Sequence, residues 1–169
     1  FAQELPPIIK YTPKTYNADN QNWMISQSDD AYIYVANNKG LLEYNGAQWK
    51  LYKSPNETIM RSVKVIGNRV YTGCYMNFGY WELNITGSLE YISLSDELNV
   101  VMVEDEQIWE IIQLDKWVLF QSLDRIYSYH TETKTLKTIA ASQTITKLYK
   151  IEDELFFQVL NEGLYSIEN

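Results

Sequence analysis

Gly40-Leu-Leu-Glu-Tyr44, Gly79-Tyr-Trp-Glu-Leu83, Arg125-Ile-Tyr-Ser-Tyr129 and Gly163-Leu-Tyr-Ser-Ile167 are four versions of one short strand. They begin 39, 46 and 38 residues apart, a period in the range of propeller blades. Each copy has similar neighbours. The first unit reads Asn22 to Ile25, Ala31 to Ala36, Gly40 to Tyr44 and Trp49 to Tyr52. The second reads Ser62 to Ile66, Arg69 to Gly73, Gly79 to Leu83 and Leu89 to Ile92. The third reads Ile108 to Ile112, Trp117 to Gln121, Arg125 to Tyr129 and Leu136 to Ile139. The fourth reads Ile145 to Tyr149, Leu155 to Val159 and Gly163 to Ile167, with no final strand.

These runs are short and rich in β-branched and aromatic residues, and polar turn chemistry separates them, so the sequence predicts strands throughout and no helix of useful length. Asp29-Asp30, Gly67-Asn68, Asp115-Lys116 and Glu152-Asp153 suit tight hairpins between first and second strands. The expected fold is all-β: about three full four-stranded antiparallel blades and one incomplete blade, at roughly 21–53, 61–95, 107–140 and 144–169. Together they make one partial propeller domain over 1–169, a fragment of a larger propeller. An open fan of blades exposes edges and invites pairing with another copy or with further sequence.

A composition of 46% hydrophobic and 21% charged residues fits a folded chain, and no apolar stretch approaches the ~20 residues of a membrane helix. The net charge of -8 argues against nucleic acid, whose phosphates require clustered Lys and Arg. The acidic runs Glu104-Asp105-Glu106 and Glu152-Asp153-Glu154 lack the spaced oxygens and Gly of a Ca²⁺ loop and read as solvated turns. Cys74 is the single cysteine and reads as a small buried hydrophobe, with no local base to make it a nucleophile. His130, the single histidine, follows the repeated strand where Asn45 and Asn84 stand in other copies, and so begins a turn. The sequence has no phosphate loop, nucleophile elbow or dinucleotide fingerprint. No catalytic residue, cofactor or metal is expected. Phe1-Ala2-Gln3 and the Glu-Leu-Pro-Pro after it look like the start of a chain freed from a secretory signal, or equally like an arbitrary boundary.

Several segments, taken in order, resemble the sensor region of bacterial two-component-regulator propeller proteins. They are Gln21 to Ile25, Tyr34 to Asn37, Gly40 to Gly46 with Trp49, Met60-Arg-Ser62, Arg69 to Gly73, Phe78-Gly-Tyr-Trp81, Trp117 to Ser122 and Arg125-Ile-Tyr127. Asn45-Gly46 departs from the family's usual Asp-Gly but keeps the turn. The resemblance implies a periplasmic, non-enzymatic sensor at the N-terminal side of a membrane-anchored transcriptional regulator. In that family more blades, a triple-tyrosine domain, a membrane helix and a kinase or helix-turn-helix output follow, and none of these lies in this chain. The expected partners are the rest of the parent regulator and an oligosaccharide.

In a propeller, the loops joining second to third strands and those joining successive blades share one face. That face would gather Asn37, Asn38, Tyr75, Asn77, Phe78, Asp124, Asn161 and Glu162, with Arg61 entering from a blade junction. Amides, an Arg and aromatics can hold a sugar ring by stacking and hydrogen bonds, and these nine residues are the candidate ligand site. Two other readings compete: a glycan hydrolase or lyase on the same scaffold, and a protein–protein scaffold. Turnover of a glycan would favour the first, and a uniformly polar face without a pocket the second.

Overall fold

A computed structural model describes residues 6–167. Residues 1–5, which carry most of the expected processed start, lie outside the described residues. Fifteen strands form four antiparallel sheets, each in sequential order. Blade 1 comprises β1 (Asn22–Gln27), β2 (Ile33–Asn37), β3 (Gly40–Tyr44) and β4 (Trp49–Lys53). Blade 2 comprises β5 (Met60–Ile66), β6 (Arg69–Cys74), β7 (Asn77–Leu83) and β8 (Leu89–Ser93). Blade 3 comprises β9 (Glu110–Leu114), β10 (Trp117–Gln121), β11 (Arg125–His130) and β12 (Thr135–Ala140), and blade 4 comprises β13 (Ile145–Ile151), β14 (Glu154–Val159) and β15 (Gly163–Ile167). Two four-residue helices, α1 (Pro13–Tyr16) and α2 (Leu94–Glu97), are the only helices among the described residues. The second is capped by Ser93 Oγ, which accepts from Asp96 N–H at 3.1 Å.

Alternation of side chains along a strand explains how the blades stack. In β10, Val118 and Phe120 face blade 2 and pack with Tyr71, Phe78 and Ile108, whereas Leu119 faces blade 4 and packs with Ile145, Leu148 and Leu155. In β2, Tyr34 and Ala36 pack with Met60 and Val63 of blade 2, while Val35 meets Leu42 and Tyr16 on the opposite face. A central blade is thus covered on both faces, which is why β6 and β10 carry near-continuous burial. The terminal faces are barer. Ile25 of blade 1 is 66% exposed, and Ile151 and Leu164 of blade 4 are 57% and 60% exposed.

The glycine that opens the repeated strand reports on the outer strand beside it. A Cβ on Gly40, whose φ is +137°, would lie 2.1 Å from Tyr52 O in β4, and one on Gly79 would lie 2.1 Å from Ile92 O in β8. Gly163 occupies the same place in blade 4 and has no neighbour that close among the described residues, because no outer strand pairs with β15 there.

Glu106 departs from the solvated-turn expectation. It is 2% exposed and accepts from Val103 N–H at 2.9 Å, Tyr127 O–H at 2.6 Å and Ser122 O–H. A carboxylate with three donors is a satisfied buried acceptor, and it ties the long β8–β9 connection to blade 3. Burial and the neighbouring Glu106 carboxylate both hold the Tyr127 phenol well above its ordinary range.

Candidate functional site

The innermost strands β1, β5, β9 and β13 stand side by side, and their first residues lie on the face shared by the blade junctions and the second-to-third-strand turns. Register skips one residue near the start of three of them: between Asn22 and Met24, Met60 and Ser62, and Ile145 and Lys147. These bulges turn Trp23, Arg61 and Thr146 out of the ladder. Trp109, just ahead of β9, takes the matching place, and its backbone N–H donates to Gln121 O at 2.8 Å.

Three of the four equivalent residues meet. The Arg61 guanidinium carbon lies 4.1 Å from the Trp23 ring centroid and 4.5 Å from that of Trp109. The two indoles are 6.2 Å apart and nearly perpendicular at 83°, so the cation sits in a corner of two π faces. Gln107 accepts from Arg61 Nε–H, and Asn38 Oδ1 fixes Trp23 by accepting from its indole N–H at 2.8 Å. Arg61 Nη1 is buried and has no hydrogen-bond partner among the described residues, and no carboxylate forms an ion pair with the side chain. Burial lowers the Arg61 pKa from its ordinary value. Chemically, the cluster presents a fixed, incompletely bonded cation between apolar walls.

Of the nine sequence candidates, the structure brings Arg61 and Asn38 into this cluster. Asn37 and Asn77 are buried fasteners. Asn37 bonds Asp19 O at 2.8 Å and Asn22 Oδ1 at 2.7 Å, and Asn77 accepts from Tyr91 O–H at 2.6 Å. Phe78 is fully buried, stacked on Tyr127 at 5.1 Å and against Phe120 at 4.6 Å, so its place is in the core rather than on a binding face. Tyr75 donates to Asp105 at 2.5 Å, and that bond raises its pKa. Asp124 is exposed in the turn that Ser122 caps, and Asn161 and Glu162 are exposed in the β14–β15 turn, where Glu162 accepts from Tyr165 at 2.8 Å and from Ser142.

Trp23, Gln107 and Trp109 were absent from the sequence candidates. The apolar alternation of the second repeat begins only at Ser62, so the equivalence of Arg61 with Trp23 shows in the shared bulge register and not in the sequence pattern. His130 closes β11 at the end opposite the shared face, with Nδ1 accepting from Thr133 N–H at 3.1 Å and its ring edge-on to Trp117. Cys74 is buried, and desolvation pushes its thiol up to about 11. Among the described residues no group of three His, Cys, Asp or Glu side chains could hold a metal ion.

Stacked four-stranded antiparallel meanders about a common set of inner strands define a β-propeller architecture, here with three four-stranded blades and one three-stranded blade. Solved structures share it. The extracellular domain of BT4673 from B. thetaiotaomicron, described in one structure as a one-component and in another as a hybrid two-component system, superposes with TM-scores of 0.66 and 0.65 at 15% identity, over 87% of this chain. This chain spans only 20% of that domain. The computationally designed Ika4 protein matches with a TM-score of 0.66 and 12% identity over 99% of this chain and 98% of its own. PorZ of Porphyromonas gingivalis, a surface component of the type-IX secretion system, matches with a TM-score of 0.60 and 11% identity over 86% of this chain and 19% of its own. At these identities the likeness is one of fold. The chain matches no protein-family model and no curated protein sequence.

Proposed function

We propose that this chain is a non-enzymatic, extracytoplasmic ligand-binding module of a larger membrane-anchored signalling regulator, placed in the periplasm and sensing a carbohydrate. The observation that carries the reading is Arg61, held in the Trp23–Trp109 corner with an unpartnered buried Nη1 on the face where blade junctions converge. Such a cluster offers recognition without a general base or paired acids, which suits a receptor that works by differential binding between two states. The sensor-like order of sequence motifs and the fold shared with the BT4673 extracellular domain support the same reading.

The apolar faces carrying Ile25, Ile151 and Leu164 suit cover by further blades of the parent protein or by a second copy of this chain. Binding by a panel of neutral and acidic oligosaccharides, followed by calorimetry and by product analysis, tests the proposal. The expected result is saturable binding without turnover, weakened by Trp23→Ala. Steady release of cleaved sugar would overturn the sensor reading in favour of a hydrolase or lyase, and failure of every saccharide to bind would favour a protein-interaction scaffold.

A further inference from the structure

The inner strands carry a charge balance opposite to that of the chain. The sequence holds 22 acidic against 14 basic residues, for a net charge of -8. The four inner strands nevertheless contain Arg61, Lys64, Lys147 and Lys150 against a single carboxylate, Glu110, and β1 has no charged residue at all. Lys147 Nζ meets Glu110 Oε2 at 2.5 Å and neutralises it. Arg61, Lys64 and Lys150 have no ion-pair partner among the described residues.

These strands line an open groove of about 520 Å³, with Met24, Ile25, Lys64, Glu110, Gln113 and Lys150 among its walls. The volume lies within the ordinary range of small-ligand sites. Trp23, Arg61 and Trp109 do not line the groove, but they directly precede or lie within the strands that do, close to Met24, Val63 and Glu110 in sequence. An incompletely bonded guanidinium on the same inner strand as Lys64, and two unpaired ammonium groups on the groove wall, make a positive field on an otherwise acidic protein. With Nε bonded to Gln107 and Nη1 shut off from solvent in the corner of the two rings, Nη2 is the donor that Arg61 holds in fixed geometry for a carboxylate or sulfate.

We propose that this groove binds a small ligand carrying carboxylate or sulfate groups, with Arg61 and the Lys64–Lys150 pair as its anion-binding residues. The inference rests on the ligand-binding reading above and narrows its chemistry to acids. Calorimetric titration of the intact chain at low ionic strength, with digalacturonate, its neutral methyl ester and citrate as probes, tests it. Digalacturonate should bind at least about tenfold more tightly than the ester, and its affinity should fall as salt is raised past about 0.15 M. Arg61→Met and the double variant Lys64→Gln with Lys150→Gln should each weaken it about tenfold or more. Both lysines are exposed, so the double variant tests the charge without disturbing the core. Citrate binding as tightly, with the same losses in the variants, would keep the anion site and make a free acid the source. Ester binding equal to that of digalacturonate and unchanged in both variants would overturn the anion site while leaving saccharide recognition standing. If none of the acids binds, the anion site is overturned, and the oligosaccharide panel then decides the sensor reading by itself.

Discussion

Removing the Glu106 acceptor should destabilise the fold in a graded way that its hydrogen bonds dictate. In Glu106→Ala the Val103 amide and the Tyr127 and Ser122 hydroxyls lose their common acceptor inside blade 3. Each unsatisfied buried donor costs about 1–3 kcal/mol, and losses within one network are not additive, so roughly 3–5 kcal/mol is expected. Glu106→Gln should cost much less. Its amide oxygen can keep Val103 N–H and Tyr127 O–H, while its NH₂ faces Ser122 Oγ, whose own proton can turn to Arg125 O at 3.2 Å. Only the charge assistance is lost, roughly 1–2 kcal/mol. Urea denaturation monitored by tryptophan fluorescence checks both, through a midpoint that falls while the slope stays constant. For a chain of this size each kcal/mol lowers Tm by about 2–4 °C, so the Ala variant should melt roughly 6–20 °C below the parent. An Ala variant within about 0.5 kcal/mol of the parent would refute the buried-anchor account.

Other consequences follow from the packing. A Cβ at residue 73 would lie 2.4 Å from Ile108 Cβ, so Gly73→Ala should cost about 1–3 kcal/mol by overpacking between blades 2 and 3, measured by the same denaturation. Cys74 should resist alkylation at pH 8 in the native state and label rapidly in urea, and fast stoichiometric native labelling would contradict its burial. Because its thiol rises from 9.0 to about 11 on folding, and burial also raises the phenols of Tyr71 and Tyr91, the folded state retains these protons more strongly than the unfolded state. Stability from these groups is therefore full below about pH 9 and lost as pH rises through 11, which thermal melts across that window would record. Ile151→Lys and Leu164→Lys on the bare face of blade 4 should leave Tm nearly unchanged, within about 0.5 kcal/mol, and should abolish any concentration-dependent self-association seen in sedimentation.

The strands were legible because two periods coincide. Alternation within each run set the faces, and recurrence near forty residues set the blades; β6 and β10 read correctly because both of their faces are buried between sheets, and β2 because blade 2 covers one face and Tyr16 the other. The site was legible only in part. Arg61 stands out as a charge at a blade junction, but Asn37, Asn77 and Phe78 look like binding residues only until their hydrogen bonds and packing are seen. Trp23 and Trp109 lie 86 positions apart, and nothing local distinguishes them from core aromatics. Glu106 reads as a turn residue because an acidic run is ordinarily solvated, and its hydrogen-bond donors come from residues up to 21 positions away.

The sequence by itself determined the repeat and the strand order within each blade, because strand periodicity and turn chemistry are local properties of a few adjacent residues. Only the tertiary structure decided which side chains converge. A one-residue bulge in β1 and in β5 is a property of pairing between strands, and together with the side-by-side packing of the inner strands it brings Trp23 and Arg61 to one corner with Trp109.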